Sequence, residues 1–167
     1  MEFDKLEFKE VVILCFTTAT TEDINELTKM RIAFISDAEH SIEKQTEQII
    51  LKKLPEYFLK HLGKDLIAFV AKEENEIVAT AFLLIIEKPC NLSFVNGTIG
   101  NVLNVYTLPQ FRRKGISTHL MNDLIEYAKK LGLDFVELKA TNEGYPLYKK
   151  LGFCEHHSNY IDMKLPL

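Results

Sequence analysis

The sequence predicts an α/β (α+β) domain: a mixed central sheet of six to seven strands flanked by about four helices, in one domain spanning residues 1–167. Three observations predict it. Hydrophobic periodicity alternates between strand-like and helix-like along the chain, in the order βαα-βββ-α-β-α-β. Apolar residues make up 47% and charged residues 26% of the 167 positions, the balance of a globular chain large enough to bury a core. No repeat, low-complexity tract or long linker divides it.

The elements follow in order. VVILCFT (11–17) is β-branched and aromatic, a strand by composition. The period then changes. Thr21 or a neighbouring threonine caps a helix in which Ile24, Leu27, Met30 and Phe34 recur at helical spacing. A second helix runs from about 41 to 62, with Ile42, Ile49, Ile50, Leu54, Tyr57 and Phe58 on one side; Pro55 must kink it or start a new helix, and Gly63 closes it. DLIAFVAKE and EIVATAFLLIIEK are strands joined by a short turn at Glu74-Asn75. PCNLSFVNG is a loop. TIGNVLNVYTL is a strand whose Gly100 and two asparagines predict a bulge or a close backbone approach. A helix over 115–131 buries Ile116, Leu120, Leu124, Ala128 and Leu131 before Gly132 ends it. DFVELKAT is a further strand, EGYPLYKKLG a short helix, and NYIDMKL a closing strand.

Charge and cysteine content narrow the function classes. Residues 1–60 carry twelve acidic and eight basic side chains, and residues 61–167 carry twelve of each. Nucleic-acid binding through bulk charge is therefore not expected, and any anion site must be local. The longest apolar runs, such as 81–86, are too short to span a bilayer, so no membrane partner is expected. The first ten residues lack an apolar h-region, which predicts no secretory leader. Cys15, Cys90 and Cys154 are odd in number and far apart, which points to a reducing, cytoplasmic setting. Cys15 reads as a buried small hydrophobe and Cys90 as a loop residue. FCEHH brings Cys154, His156 and His157 together without the paired spacing of a structural zinc site, so no metal is expected.

The local anion site is FRRKGISTHL (111–120). Three cations precede a glycine that opens a helix, where the first N–H groups lack partners and the helix dipole is positive. Gly115 has no Cβ, so a ligand oxygen can approach the backbone closely. Taken alone, these residues fit either a phosphate cradle or a solvated basic turn.

RRKGIS resembles the R/Q-x-x-G-x-G/A signature of the GNAT acetyltransferase superfamily, with Arg112 first, Gly115 fourth and Ser117 in place of the usual Gly or Ala. NVYTLPQFRRKG is similar to the strand and proline that precede that signature, and LKATNEGYPLYKKLGF to the second strand–helix block, with Asn142, Tyr148, Lys150, Gly152 and Phe153 in matching places. ATTEDINEL resembles the usual entry to the first helix. The resemblance runs from about Thr18 to the end.

It implies a fold of the acyl-CoA N-acyltransferase type and acetyl transfer from acetyl-coenzyme A, as co-substrate, to a primary amine. It also implies the site. Val105, Tyr106 and Thr107 would meet the pantetheine arm and the thioester carbonyl. Arg112, Arg113, Lys114, Gly115, Ile116, Ser117 and Thr118 would hold the pyrophosphate. Asn142 would fix the pantetheine, or cap a helix beginning at Glu143. Tyr148 would be the general acid that protonates the leaving sulfur; as a plain helical residue it would share a face with Tyr145. No base is assigned among Asp37, Glu39, His40 and Glu143.

The acceptor pocket would be built by the first two helices, strand 98–106 and the loops around 88–97. Glu22, Asp23, Glu26, Asp37, Glu39, Glu43 and Glu47 make that region acidic, which would favour a cationic small-molecule amine, although a solvated helix face is the commoner reason for such residues. A protein amino group and a non-catalytic acyl-coenzyme A sensor are the alternative readings. Relatives in this family are often dimers, so a homodimer stays open.

Overall fold

The structure, a computed structural model, describes residues 13–39, 42–156 and 160–166. Its sheet runs β1 (Cys15–Thr18), β2 (Leu66–Glu73), β3 (Glu76–Glu87), β4 (Thr98–Thr107) and β5 (Val136–Glu137) in that spatial order. The first four are antiparallel neighbours, and β5 joins β4 in parallel. Helices α1 (Ile24–Glu39) and α2 (Lys44–His61) cover one face; α3 (Ile116–Lys130) covers the other.

Strand alternation explains the layering. On β2, Ile67, Phe69 and Ala71 face the cluster that holds Leu120, Met121 and Leu124 of α3. Leu66, Ala68 and Val70 face Leu27, Met30 and Phe58 of α1 and α2. Both faces are covered, so β2 reads as an unbroken apolar run rather than an alternating one. Between β2 and β3, Glu74 and Asn75 both take left-handed φ, 48° and 75°, as a tight hairpin turn requires.

Several expectations need correction. The described residues contain five strands, not six to seven. NYIDMKL contributes none: residues 160–166 are irregular, with Ile161, Met163 and Leu165 more than 80% exposed. Alternation alone does not make a strand where no neighbouring strand supplies a ladder. DFVELKAT is reduced to the two residues of β5 for a reason that matters below. The first strand begins at Cys15 rather than residue 11, and residues 11 and 12 lie outside the described residues. Cys15 is exposed rather than buried, because β1 is an edge strand. Cys90 is exposed in its loop as expected, and so is Cys154. His157 lies outside the described residues.

The helices differ in detail. Thr20 supplies the first cap, in a capping box with Asp23 around a single 3-10 turn. Pro55 starts no new helix; α2 runs through it, held by Phe58 and Leu54 in the core. Only Phe58 of the proposed α2 stripe is fully buried, while Ile49 is 55% exposed. On α3, Met121 is buried and Leu131, past the helix end, is exposed.

Candidate functional site

β4 and β5 pair only at Gly100–Val136 and Asn101–Glu137. Gly100 permits that contact, since a Cβ there would lie 2.6 Å from Leu83 Cδ1 and 3.2 Å from Leu133 Cδ1. Beyond this point the strands part. A cleft of about 1670 Å³ opens between residues 101–107 of β4 and residues 138–142, with α1 along one wall and the start of α3 at one end. The strand that looked long in sequence is short because it diverges from its partner here.

A bulge shapes β4 inside the cleft. Thr80 pairs with Tyr106 but Phe82 with Leu103, so Ala81 faces two residues, Asn104 and Val105. Asn104 takes the left-handed φ of 51° that the bulge needs, which asparagine tolerates better than most residues. Its side chain fixes the conformation. Nδ2 donates to Thr80 Oγ1 at 2.9 Å, the Thr80 hydroxyl donates to the Asn104 carbonyl at 2.9 Å, and Arg31 Nη1 donates to Asn104 Oδ1 at 3.2 Å. Thr80 and Asn104 are both buried. Thr80→Val keeps the shape but leaves the Asn104 amide and carbonyl short of a partner. The expected cost is about 1–3 kcal/mol, read as a lower urea midpoint with an unchanged m-value.

At the other end, Gly115 caps α3 with φ 78°, and the space a Cβ would occupy is empty to 4 Å. Arg113 is left-handed too, at 65°. Consecutive turns of this kind leave backbone N–H groups converging on a concavity that suits anions. The first α-helical bond is from His119 N–H to the Gly115 carbonyl, so the N–H groups of Ile116, Ser117 and Thr118 precede the helical ladder. Ser117, where the family signature has Gly or Ala, lies 2.9 Å from the Thr107 hydroxyl and ties the strand end to the helix start.

The structure gathers most of the expected site residues in one place. Val105, Tyr106, Thr107, Arg112, Arg113, Gly115, Ile116, Ser117, Thr118, Asn142 and Tyr148 all line the cleft. Lys114 does not; its Nζ sits 5.1 Å from the centre of the Phe111 ring. Asn142 caps no helix: α4 (Tyr145–Lys150) starts later than residue 143, and the Thr141 hydroxyl accepts from the Gly144 N–H at 3.1 Å. Tyr148 is half-buried, packed edge-on to Phe153 at 5.9 Å, and burial pushes its phenol above the ordinary value. Among the described residues its hydroxyl has no hydrogen-bond partner.

Arg112 is engaged on two sides. Its Nε donates to the Thr107 carbonyl at 3.0 Å, and its Nη2 donates to Asp37 at 2.6 Å. The Tyr106 hydroxyl donates to the same Asp37 oxygen at 2.9 Å. The Arg112 and Tyr106 hydrogen bonds together hold the Asp37 carboxyl below its usual range. This latch ties the end of α1 to the strand and loop, and no sequence motif signals it, because its partners are 69 and 75 positions apart.

The acidic approach does not survive. Of the six proposed acidic residues whose side chains are described, only Asp37 lines the cleft, and Arg112 pairs with it. Asp23 pairs with Lys72 and Glu26 with Lys29, away from the cleft. The side chain of Glu39 and residue His40 lie outside the described residues. Neither α2 nor residues 88–97 contribute to the lining. Among the described residues the lining holds five cations, Arg31, Arg112, Arg113, Lys139 and Lys150, against the carboxylates Asp37 and Glu143.

The β4 bulge and the glycine-led start of α3 lie where the sequence predicts them, while the parting of β4 from β5 and the cationic lining are features it did not predict. The acetyltransferase (GNAT) family model matches residues 30–153. The chain belongs to the acetyltransferase (GNAT) family. Among solved structures it is similar to a predicted acetyltransferase of Clostridium acetobutylicum with acetyl-CoA, with a TM-score of 0.80 and 30% identity over 91% of this chain and 96% of that one. Among curated proteins it is 43% identical over 60 residues to an uncharacterized N-acetyltransferase of Methanocaldococcus jannaschii, a match covering 34% of this chain and 26% of that protein. It is 31% identical over 90 residues to the glucosamine 6-phosphate N-acetyltransferase of Trypanosoma brucei brucei, covering 53% of this chain and 58% of that protein. The chain thus spans about a quarter and somewhat over half of the lengths of these two curated relatives.

As a GNAT member, the chain has residues that fit acetyl-CoA. The open Gly115 cradle with Arg113 suits a pyrophosphate. The unpaired stretch of β4 offers main-chain donors and acceptors to an extended amide arm, as a sheet edge does to an added strand. The cleft exceeds the 300–1,000 Å³ usual for one small ligand, leaving room for a second.

Proposed function

We propose that this GNAT member is an acetyl-CoA dependent N-acetyltransferase acting on the primary amine of a small molecule. The parting of β4 from β5 beside the Gly115 cradle carries this reading: it puts a phosphate site and an exposed strand edge in one cleft. The similarity to an N-acetyltransferase of an amino sugar phosphate supports a small acceptor.

Acetyl-CoA supplies an activated acyl carbon and a thiolate leaving group. Around it, a backbone N–H at Val105 or Tyr106, at the bulge, faces the carbonyl oxygen as it gains charge. The neutral amine nitrogen bonds to that carbon as the C–S bond breaks. The Tyr148 hydroxyl gives its proton to the departing sulfur; with its pKa raised, the phenol is protonated at neutral pH and so is in the form that can donate. The proton lost by the amine goes to a carboxylate or to water. Among the described residues Glu143 is the cleft carboxylate without an ion-pair partner.

The test is thiol release. With acetyl-CoA and a panel of amino sugars, amino acids and polyamines, at least one amine should release free thiol and gain 42 mass units, about the mass of an added acetyl group less one hydrogen. Saturable binding of acetyl-CoA with no thiol released by any amine would reduce the protein to a binding module.

A further inference from the structure

Of the cleft cations outside the phosphate cradle, Arg31 is the one set on α1 beside the β4 bulge. Arg31 stands on α1 six residues before Asp37, about 9 Å along the helix axis at 1.5 Å per residue. Asp37 touches Arg112 at the cradle end, so Arg31 lies well away from the pyrophosphate, beside the bulge where the acyl carbonyl is received.

Its surroundings leave its charge uncompensated. The guanidinium is half-buried in the cleft wall, stacked 5.5 Å from the centre of the Phe34 ring, and both residues line the cleft. Of its five N–H donors, one goes to Asn104 Oδ1, and among the described residues no carboxylate lies within ion-pair distance. Burial pulls its pKa down, as expected for a cation without a counter-charge. The remaining donors are not sealed from solvent, since no fully buried side-chain nitrogen lacks a partner among the described residues. A planar fork of donors held by Asn104 and Phe34 matches an oxyanion in two-point contact.

We infer that Arg31 is a specificity residue of the acceptor site, and that the preferred acceptor is an amine bearing an anionic oxygen group, carboxylate or phosphate, that docks on Arg31. The inference rests on the acetyltransferase reading and replaces the expectation of an acidic region that favours a cationic amine. The cleft's cation surplus agrees with it.

The test uses pairs of amines that differ in the anion: glucosamine 6-phosphate against glucosamine, and β-alanine against β-alaninamide. Binding to the protein saturated with coenzyme A is measured by calorimetry, and thiol release with acetyl-CoA gives kcat/KM. The anionic member of at least one pair should bind about tenfold tighter or more, and the sugar and amino-acid pairs show which oxyanion the site takes. Arg31→Gln should remove the advantage, and Arg31→Lys should retain part of it. The Tm rise on adding acetyl-CoA should stay the same in all three proteins, which reports both an intact fold and an intact cradle. Equal affinity within every pair, including no measurable binding of either member, overturns the inference, as does a preference that persists in Arg31→Gln. Loss of the acetyl-CoA response in the wild type would instead sink the acetyltransferase reading, and this inference with it.

Discussion

Acetyl-CoA at about 100 times its Kd should raise the Tm of the wild-type protein by roughly 5–10 °C and leave that of Gly115→Asp unmoved. The first figure follows from linkage: about 2.7 kcal/mol of added stability, spread over the unfolding entropy of a chain this size. The second follows from the cradle. A Cβ at residue 115 meets nothing within 4 Å, so the substitution does not collide with the fold. Its costs are the φ of 78°, about 1–2 kcal/mol for a side chain in the left-handed region, and a carboxylate placed where the pyrophosphate should sit. The same carboxylate at a helix start stabilises the unliganded helix by about 0.3–1 kcal/mol, which offsets part of the strain. The unliganded variant should therefore melt close to wild type, so a lost response reports lost binding and not lost folding. Gly115→Asn, with the same φ and no charge, should retain part of the shift. If Gly115→Asp responds as the wild type does, the phosphates bind elsewhere and Arg112, Arg113 and Gly115 form only a surface turn.

That prediction was available from sequence because the cradle is local. The glycine, the cations and the helix they precede lie within a few residues of one another, and the periodicity of α3 marks where the helix starts. The β2–β3 hairpin and the interruption in β4 were legible for the same reason: Asn75 and Asn104 tolerate the left-handed backbone they adopt. What sequence could not supply is long-range. The Asp37 latch joins residues on α1, β4 and the loop after it, and Asp37 alone reads as one more acid on a helix. The acidic stretch in and around α1 read as an electrostatic approach because composition carries no direction; the fold turns Asp23 and Glu26 toward lysines and Asp37 toward the cleft. Strand count failed where a strand depends on its neighbours. Residues 138–141 have no strand partner because the cleft opens there, and residues 160–166 keep an alternating pattern with no ladder to join. Arg31 was passed over because its neighbour Asn104 is 73 positions away and no motif contains it.

Tyr148→Phe separates an acid from a packing residue. The ring lies against Phe153, and the hydroxyl has no hydrogen-bond partner among the described residues, so deleting the oxygen should leave Tm close to wild type. If the hydroxyl protonates the leaving sulfur, kcat should fall by about 10²–10⁴-fold while the acetyl-CoA affinity holds. The pH profile adds a second signature. Burial raises the phenol above its ordinary 10.0, and the group works in its protonated form. Activity that depends on it is therefore present below the raised pKa and is lost as pH rises through it, so the wild-type alkaline limb should lie above pH 10 and vanish in the variant. Tyr145 is the internal control. It sits one turn earlier on α4, outside the cleft lining, and donates to Glu155 at 2.6 Å. Tyr145→Phe should leave kcat unchanged. Equal rates for the wild type and Tyr148→Phe would mean that solvent protonates the thiolate, and that this helix contributes only the ring packed beneath the cleft.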